Sequence, residues 1–276
     1  FIRHDKKVTI DKNDFSLTID SQKIKFDCAF IAIQGTPGED GRIQGFLDML
    51  QVPYTTCNSI VSALTFNKSY CNKVVKAFNV VNIANSVHLV KGDPFSMGAI
   101  LDRLKLPVVV KPNEGGCGYN AGKVKHVEEL LPAIESVFRV DDQVLIEEFI
   151  DGTELTIGVF RSNGYVHALP ATEITNAADP RVKNVNGETG DFTPARVDDN
   201  IKEQLDSKAK YIYRHMNCRG VVQMDFILQR YTNKLYFLEV NTMPDLSEHS
   251  ILSQQLTVSG RTLSGFYSEL LEDCLK

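Results

Sequence analysis

The order of apolar and polar residues along the chain predicts a mixture of strands and helices. An apolar run that ends at a glycine, KIKFDCAFIAIQG, predicts a buried strand over residues 23–35. The segment GEDGRIQGFLDMLQV predicts a helix, because its apolar residues recur at helical intervals. Those residues are Ile43, Phe46, Leu47 and Leu50. Residues 197–217 and 260–275 also have helical spacing.

Two pairs of apolar segments predict antiparallel hairpins. QVLIEEFI and TELTIGVF flank Asp151 and Gly152, a dipeptide typical of tight hairpin turns. GVVQMDFIL and KLYFLEVN flank the polar turn QRYTN. LPVVVKPNEGG predicts a short buried strand that runs into a glycine-rich loop. This order of elements predicts an α/β start followed by α+β lobes.

Composition narrows the classes of function. The chain has 276 residues, enough for two or three lobes, and a formal net charge of −5 without a Lys/Arg-rich run. It has no stretch near the roughly 20 apolar residues of a membrane span. Nucleic acid and the membrane are therefore not expected as partners. Six dispersed cysteines without CxxC spacing favour a reducing compartment, which predicts a cytoplasmic protein. The sequence opens at Phe1 without an initiator Met, and we expect that a preceding segment was cut off or left out.

Oxygen-bearing side chains meet at the second predicted hairpin. Glu239 and Asn241 end one of its strands and point to the same face, because side chains alternate along a strand. Asp225 follows an apolar run on the partner strand. Two carboxylates and an amide oxygen suit Mg²⁺, which leaves room for phosphate oxygens and water. The alternative is a hairpin with a solvated polar end.

Further stretches carry candidate chemistry. Lys111 ends a buried strand and precedes glycines whose backbone N–H groups can cradle phosphates; the alternative is a flexible glycine hairpin. The acidic stretch LIEEFIDGTEL can accept hydrogen bonds from a purine amine and ribose hydroxyls; the alternative is a solvated surface. In IQGTPGEDGRIQG a glycine turn precedes a helix N-terminus, which stabilises negative charge in a ligand; the alternative is a plain strand–helix turn.

Taken in order, these motifs resemble the D-alanine–D-alanine ligases of the ATP-grasp superfamily. The resemblance runs from about Lys25 to the C-terminus and is carried by GEDGRIQG, VPYTTCNSIVSALTFNK, LPVVVKP, IEEFIDGTE, FTPAR and CRGVVQMDFIL…LEVNTMP…HS. It implies an ATP-grasp fold that holds a nucleotide between two antiparallel-sheet lobes. The implied domains are a partial N-terminal α/β domain over 1–62, a central lobe over 63–150 and a C-terminal lobe over 151–276. The family's usual first α/β segment is largely absent from this sequence.

The resemblance also implies roles for individual residues. The nucleotide contacts are Lys68 and Lys111 at the phosphates, Glu147, Glu148, Phe149 and Ile150 at adenine, and Glu154 at the ribose. The metal ligands are Asp225, Glu239 and Asn241, for Mg²⁺ or alternatively Mn²⁺. The amino-acid substrates would meet Glu39, Asp245 and Ser250. The catalytic positions are Lys183, Gln223 and Cys117.

The activity implied is an ATP- and Mg²⁺-dependent carboxylate–amine ligation. An acyl phosphate forms first, and an amine then displaces phosphate to give a dipeptide for cell-wall peptidoglycan. The resemblance implies D-alanine as the default substrate and a homodimer as the assembly.

Departures from the family pattern cluster on the amino-acid side, and five positions carry them: Gln34, Cys117, Asn184, Gln223 and Asp245. Gln223 stands where the family has an arginine, Cys117 where it has a serine, and Asp245 where it has a glycine. Losing a charged donor at a developing oxyanion costs roughly 10²–10³ in rate. Weakened activity is therefore expected. The alternatives are a ligase with a different amino- or hydroxy-acid acceptor and a nucleotide-binding pseudoenzyme.

Overall fold

The computed structural model describes residues 2–3, 6–115, 122–175 and 190–276. The first part of the chain contains β1 (Ile2–Arg3), β2 (Lys6–Lys7), β3 (Leu17–Ile19), β4 (Gln22–Ile24) and α1 (Arg42–Met49). The middle part contains α2 (Ser59–Phe66), α3 (Lys68–Phe78), β5 (Asn82–Ile83), β6 (Ser86–Val90), α4 (Met97–Arg103), β7 (Val108–Pro112), β8 (Gly122–Val124), α5 (Val127–Val137) and β9 (Gln143–Glu148). The last part contains β10 (Gly152–Ser162), β11 (Tyr165–Ala168), β12 (Thr172–Ile174), α6 (Asp199–His215), β13 (Val221–Gln229), β14 (Leu235–Asn241), α7 (Ile251–Val258) and α8 (Leu263–Cys274).

Two main sheets organise the described residues. The smaller sheet is antiparallel, with strand order β6-β9-β7-β8, and its apolar face packs against α4 and α5. The larger sheet has the order β11-β10-β13-β14-β5, and β12 also pairs with β10. Its core is covered by α2, α3 and α6, whose apolar side chains include Val61, Val75 and Leu205. The alternating apolar positions of these strands supply the buried face of each sheet.

The helix α3 begins at a point that matters for the site. Asn67 separates α2 from α3, and its side-chain oxygen accepts a hydrogen bond from the Tyr70 N–H at 3.1 Å. Such N-caps satisfy N–H groups that have no partner inside the helix. The first residue of α3 is Lys68, so the cap holds this lysine at the end of a helix packed on β14.

Most of the predicted elements are confirmed. The predicted helices correspond to α1, α6 and α8, and LPVVVKP forms β7. The two strands that flank the turn QRYTN are β13 and β14, which form the predicted hairpin. In it Asp225 lies opposite Glu239 and Gln223 lies opposite Asn241.

The predicted hairpin at Asp151 and Gly152 is wrong. β9 lies between β6 and β7 in the smaller sheet, whereas β10 pairs with β13 in the larger one. The chain therefore passes from one sheet to the other at this point. Gly152 allows β10 and β13 to approach each other closely, because an added Cβ would lie 2.1 Å from the Leu228 carbonyl oxygen.

The predicted buried strand over 23–35 is also wrong. β4 ends at Ile24, and the rest of the segment makes a single bridge, from Ala29 to Tyr54, among the described residues. Phe26, Phe30 and Ile33 are each more than one-third exposed. An apolar run becomes a buried strand only when neighbours pair with its backbone and cover its faces, and here that covering is partial.

The predicted division into three lobes, with boundaries between residues 62 and 63 and between residues 150 and 151, stays a prediction. The passage between sheets at residues 149–151 coincides with the second of these boundaries. Near the first boundary, Cys71 and Val75 of α3 pack in the core of the larger sheet rather than on the smaller one.

Candidate active site

A cavity of about 500 Å³ lies between the two sheets. Lys111, Glu147 and Phe149 line it from the smaller sheet or the connection that leaves it. Asp225 and Glu239 line it from the larger sheet. Apolar side chains such as Val109 and Ile227 complete the walls. The cavity therefore combines an apolar pocket with converging charged groups, as ligand sites commonly do.

Lys111 is held by a buried ion pair. Its Nζ lies 2.5 Å from a carboxylate oxygen of Glu147, on the neighbouring strand β9. The other Glu147 oxygen accepts a 2.8 Å hydrogen bond from Nδ2 of Asn72. Burial alone would lower the pKa of Lys111, but the carboxylates of Glu147 and Glu239 outweigh it and raise that pKa. Lys111 therefore keeps its positive charge facing the cavity.

Lys68 reaches the same cavity from helix α3, which packs on the larger sheet. Its Nζ lies 3.5 Å from Glu239 and donates a hydrogen bond to the Gly115 carbonyl oxygen. Gly115 is the last described residue at the start of the glycine-rich loop and lines the cavity. Two ammonium groups from different elements thus face one space, an arrangement suited to a polyphosphate.

The predicted metal ligands are close in register on β13 and β14. Asp225 and Glu239 are opposite each other and line the cavity together. Burial, followed by the Glu239 carboxylate, raises the pKa of Asp225 to about 7. Oδ1 of Asp225 is buried and makes no hydrogen bond to the described residues. A buried carboxylate oxygen without a donor, beside a second carboxylate, fits a hard divalent cation.

Asn241 lies slightly apart from this pair. Together with Glu239 and Lys68 it lines an adjoining cavity of about 40 Å³. Its Oδ1 accepts a 2.8 Å hydrogen bond from the Met243 N–H. The metal role of all three residues stays a prediction. Among the described residues, no group of three or more His, Cys, Asp and Glu side chains is arranged to hold a metal ion.

The residues predicted to meet adenine and ribose also line the larger cavity. Glu148 accepts a 3.0 Å hydrogen bond from Nδ2 of Asn85, and Ile150 is buried. The ring of Phe149 has the ammonium of Lys123 3.2 Å from its centroid. Burial, then the charges of Glu239 and Asp191, raise the pKa of Glu154. A cation near this carboxylate would favour its ionised form.

The amino-acid side of the site is more dispersed. Glu39 lines the smaller cavity beside Lys68, and burial raises its pKa. Asp245 lines a separate cavity of about 460 Å³ together with Gln34. Ser250 lines none of these three cavities; its hydroxyl caps α7 by accepting the Ser253 N–H at 3.1 Å. Gln223 lies on β13 opposite Asn241.

Two predicted catalytic residues, Lys183 and Cys117, lie outside the described residues. Asn72 was not predicted from the sequence. It lies four residues after Lys68 on α3, so helical spacing places both on one face, and that spacing was the available signal. Lys123 was also not predicted, because no short-range sequence pattern links its strand β8 to Phe149.

Within the part of the chain that the structure describes, no helix has the length and apolar content to cross a membrane.

Comparison with known proteins gives consistent likenesses. The family model "D-ala D-ala ligase C-terminus" matches residues 76–272, and "D-ala D-ala ligase N-terminus" matches residues 3–57. A D-alanine--D-alanine ligase of Parabacteroides distasonis is 39% identical over 97% of this chain and 81% of its own length. One from Flavobacterium johnsoniae is 37% identical over 98% of this chain and 83% of its own length.

Solved structures give the same likeness. D-alanyl-alanine synthetase A from Vibrio cholerae has a TM-score of 0.85 at 25% identity, covering 97% of this chain and 82% of the other. A D-alanine--D-alanine ligase from Bacillus anthracis, complexed with ATP, has a TM-score of 0.76 at 26% identity, covering 90% of this chain and 78% of the other.

Proposed function

The chain belongs to the D-alanine–D-alanine ligase family, with its ATP-grasp fold, and we propose that it joins two D-alanine molecules at the expense of ATP. The observation that carries this proposal is the cavity between the sheets, where Lys68 and Lys111 face the carboxylates of Asp225 and Glu239. A polyphosphate and a divalent cation together would complement these charges. The product would be a dipeptide used for peptidoglycan of the cell wall.

The reaction has two steps. The carboxylate of the first amino acid attacks the γ-phosphorus of ATP, so that an acyl phosphate forms and ADP leaves. The amine of the second amino acid then attacks the acyl carbon, and inorganic phosphate leaves as the amide bond forms. Each step concentrates negative charge on phosphoryl or carbonyl oxygens, and fixed positive charge lowers its barrier.

The chain's own residues supply that charge and the binding surface. Lys68 and Lys111 would neutralise phosphate oxygens, and their pairing with Glu239 and Glu147 holds them toward the cavity. Asp225, Glu239 and Asn241 would hold Mg²⁺, with Mn²⁺ as the alternative; a bound divalent ion screens charge on the transferring phosphoryl group. Gln223 would donate a neutral hydrogen bond toward the acyl oxygen.

Two residues outside the described part of the chain, Lys183 and Cys117, also enter the proposal. We expect Lys183 to contact the transferring phosphate and Cys117, in the glycine-rich loop of the sequence, to be a catalytic position. Glu39 and Ser250 would contact the amino-acid substrates.

A second candidate is a ligase with a different acceptor. The Asp245 carboxylate and the Gln34 amide line the 460 Å³ cavity next to the end of β14, which favours an acceptor with a hydrogen-bonding or cationic group. A nucleotide-binding protein without turnover is the remaining alternative, because it needs only the phosphate and metal groups.

Two measurements test the proposal. Calorimetry with a non-hydrolysable ATP analogue and Mg²⁺ should detect binding that Lys111→Ala reduces by about tenfold or more. Lys105→Ala, on an exposed neighbouring lysine, should leave binding unchanged. Absence of binding by the folded wild-type protein would reject the nucleotide site.

Phosphate release is then measured with a panel of D- and L-amino acids and hydroxy acids. Release that depends on D-alanine supports the dipeptide ligase. Release with another acceptor supports the second candidate, and binding without release for any member supports the non-catalytic alternative.

The cellular setting is also part of the proposal. The chain would act as a homodimer in the cytoplasm on small amino acids, without nucleic acid or membrane as a partner. The net charge of −5 supports the exclusion of nucleic acid. Analytical ultracentrifugation would test the dimer.

A further inference from the structure

The start of helix α3 is capped by Asn113, which directly follows strand β7 of the smaller sheet. The first N–H groups of a helix have no partner within the helix and need acceptors from outside. The backbone N–H of Lys68 donates to the carbonyl oxygen of Asn113 at 2.9 Å. The next N–H, of Ser69, donates to Oδ1 of the same Asn113 at 2.8 Å. Asn113 thus satisfies two consecutive donors at the N-terminus of α3.

Asn113 is equally tied to its own sheet. It directly follows β7, two residues after Lys111, and it is fully buried. Its N–H donates to the Gln143 carbonyl oxygen at 3.2 Å, and its Nδ2 donates to Oε1 of Gln143 at 3.0 Å. Gln143 is the first residue of β9, the strand that pairs with β7 at Lys111.

These contacts determine which amide atom faces which partner. Oδ1 accepts from an N–H group and Nδ2 donates to an oxygen. Reversing the amide would place a donor against the Ser69 N–H and an acceptor against the Gln143 oxygen. Only an asparagine-like group makes all four contacts at this point.

The two lysines of the site lie on either side of this junction. Lys68 belongs to a helix packed on the larger sheet, and Lys111 belongs to the smaller sheet. Their ammonium groups line the same cavity. Asn113 connects the backbone of one to a position two residues from the other. We propose that Asn113 is a positioning residue, which sets the spacing of Lys68 and Lys111 for a nucleotide polyphosphate; this rests on the proposed function.

The main test combines binding and steady-state kinetics. Asn113→Ala should weaken binding of Mg²⁺ and the non-hydrolysable ATP analogue, and raise KM for ATP, by about 10- to 100-fold, the scale of losing a residue that orients a contact group. KM for the amino acid should change less than threefold. A purely structural role would lower the amount of folded protein, and therefore the apparent kcat, and leave both KM values unchanged.

Asn58→Ala is the matched control. Asn58 caps α2 through the Val61 N–H at 2.9 Å, but it does not connect the two sheets. Both variants should lower the melting temperature, and only Asn113→Ala should raise KM for ATP. Equal kinetics in the two variants would overturn the proposal.

A double-mutant cycle separates an effect of Asn113 on Lys68 from a general loss of stability. If Asn113 acts through Lys68, the variant Lys68→Ala with Asn113→Ala should bind the ATP analogue within about twofold of Lys68→Ala alone. Fully additive losses would contradict the proposal.

Should Asn113→Ala fail to fold, Gln143→Ala takes its place, because it removes the side-chain acceptor of the Asn113 Nδ2 from the other end, along with the Gln143 contacts to Asn67, His88 and Glu114. A rise in KM for ATP is expected there, and an unchanged value refutes the inference. If the folded wild type does not bind the ATP analogue, the proposed function fails together with this inference. If the wild type binds and the variants bind equally well, only this inference fails.

Discussion

Replacing Glu147 by glutamine would remove the counter-charge of a buried lysine. The ion pair has a 2.5 Å contact, and the side chains of Lys111 and Glu147 are 13% and 7% exposed. Glutamine has nearly the same shape, so the change tests charge rather than packing. In the wild type, Nδ2 of Asn72 donates to Glu147 at 2.8 Å. The glutamine of the variant would turn its own NH₂ group either toward this Nδ2 or toward the Lys111 ammonium.

The expected loss in free energy of unfolding follows from burial. Removing one partner of a buried ion pair costs about 3–5 kcal/mol, because the other charge stays desolvated. The surface pair Lys91–Asp142, at the edge of the same sheet just beyond β6 and β9, provides the control: its atoms are 3.1 Å apart, with side chains 55% and 82% exposed. Asp142→Asn should cost less than about 1 kcal/mol.

The pH dependence gives a second signature with a definite sign. In the wild type the pKa of Lys111 is raised above 10.5, so its contribution is present below that pH and is lost as the pH rises through the folded-state pKa. In Glu147→Gln, burial is the largest influence and only the remaining carboxylates Glu239 and Glu154 oppose it, so the pKa of Lys111 should fall below its unfolded value. The unfolded chain then binds more protons, and the deficit of the variant should shrink as the pH rises from 7 toward 10.

Urea unfolding followed by circular dichroism measures both effects, since the chain has no Trp to report by fluorescence. A loss no larger than that of Asp142→Asn would refute the reasoning. A deficit that stays constant from pH 7 to 10 would refute the assignment to a buried, unpaired ammonium.

Three other outcomes are expected. Gln223→Arg should raise D-alanine-dependent phosphate release about tenfold, because arginine restores a charged, forked donor. The double variant with Asp245→Gly removes the carboxylate with which the new arginine could pair instead of the substrate. If neither variant raises phosphate release while ATP still binds, the dipeptide ligase is contradicted. Gly152→Ala should destabilise by roughly 1–3 kcal/mol in urea unfolding, because its Cβ would lie 2.1 Å from a carbonyl oxygen, whereas Gly122→Ala, with open space around it, should not. Gln255→Leu breaks three buried hydrogen bonds between α7 and the larger sheet and should cost about 3 kcal/mol or more; a loss below about 1 kcal/mol would contradict this.

The sequence alone determined the parts of this protein that depend on local pattern. The strand carrying Lys111 and the β13–β14 hairpin are readable because strand periodicity and turn residues act over a few positions. Glu239 and Asn241 fall on one face for the same reason, since alternation is a property of the strand itself. The family motifs likewise identified the ligase family from short, ordered stretches.

Tertiary structure decided what pairs with what. Asp151 and Gly152 carry a hairpin signal, yet β9 and β10 belong to different sheets, because each has better partners distant in sequence. The apolar run after Ile24 lacks the neighbours that would make it a buried strand. The capping of Lys68 and Ser69 by Asn113 joins residues 44 or 45 positions apart, and no local pattern encodes such a contact. Hydrogen bonds and ion pairs depend on distance in space, so the lysine pair of the site is a property of the folded chain.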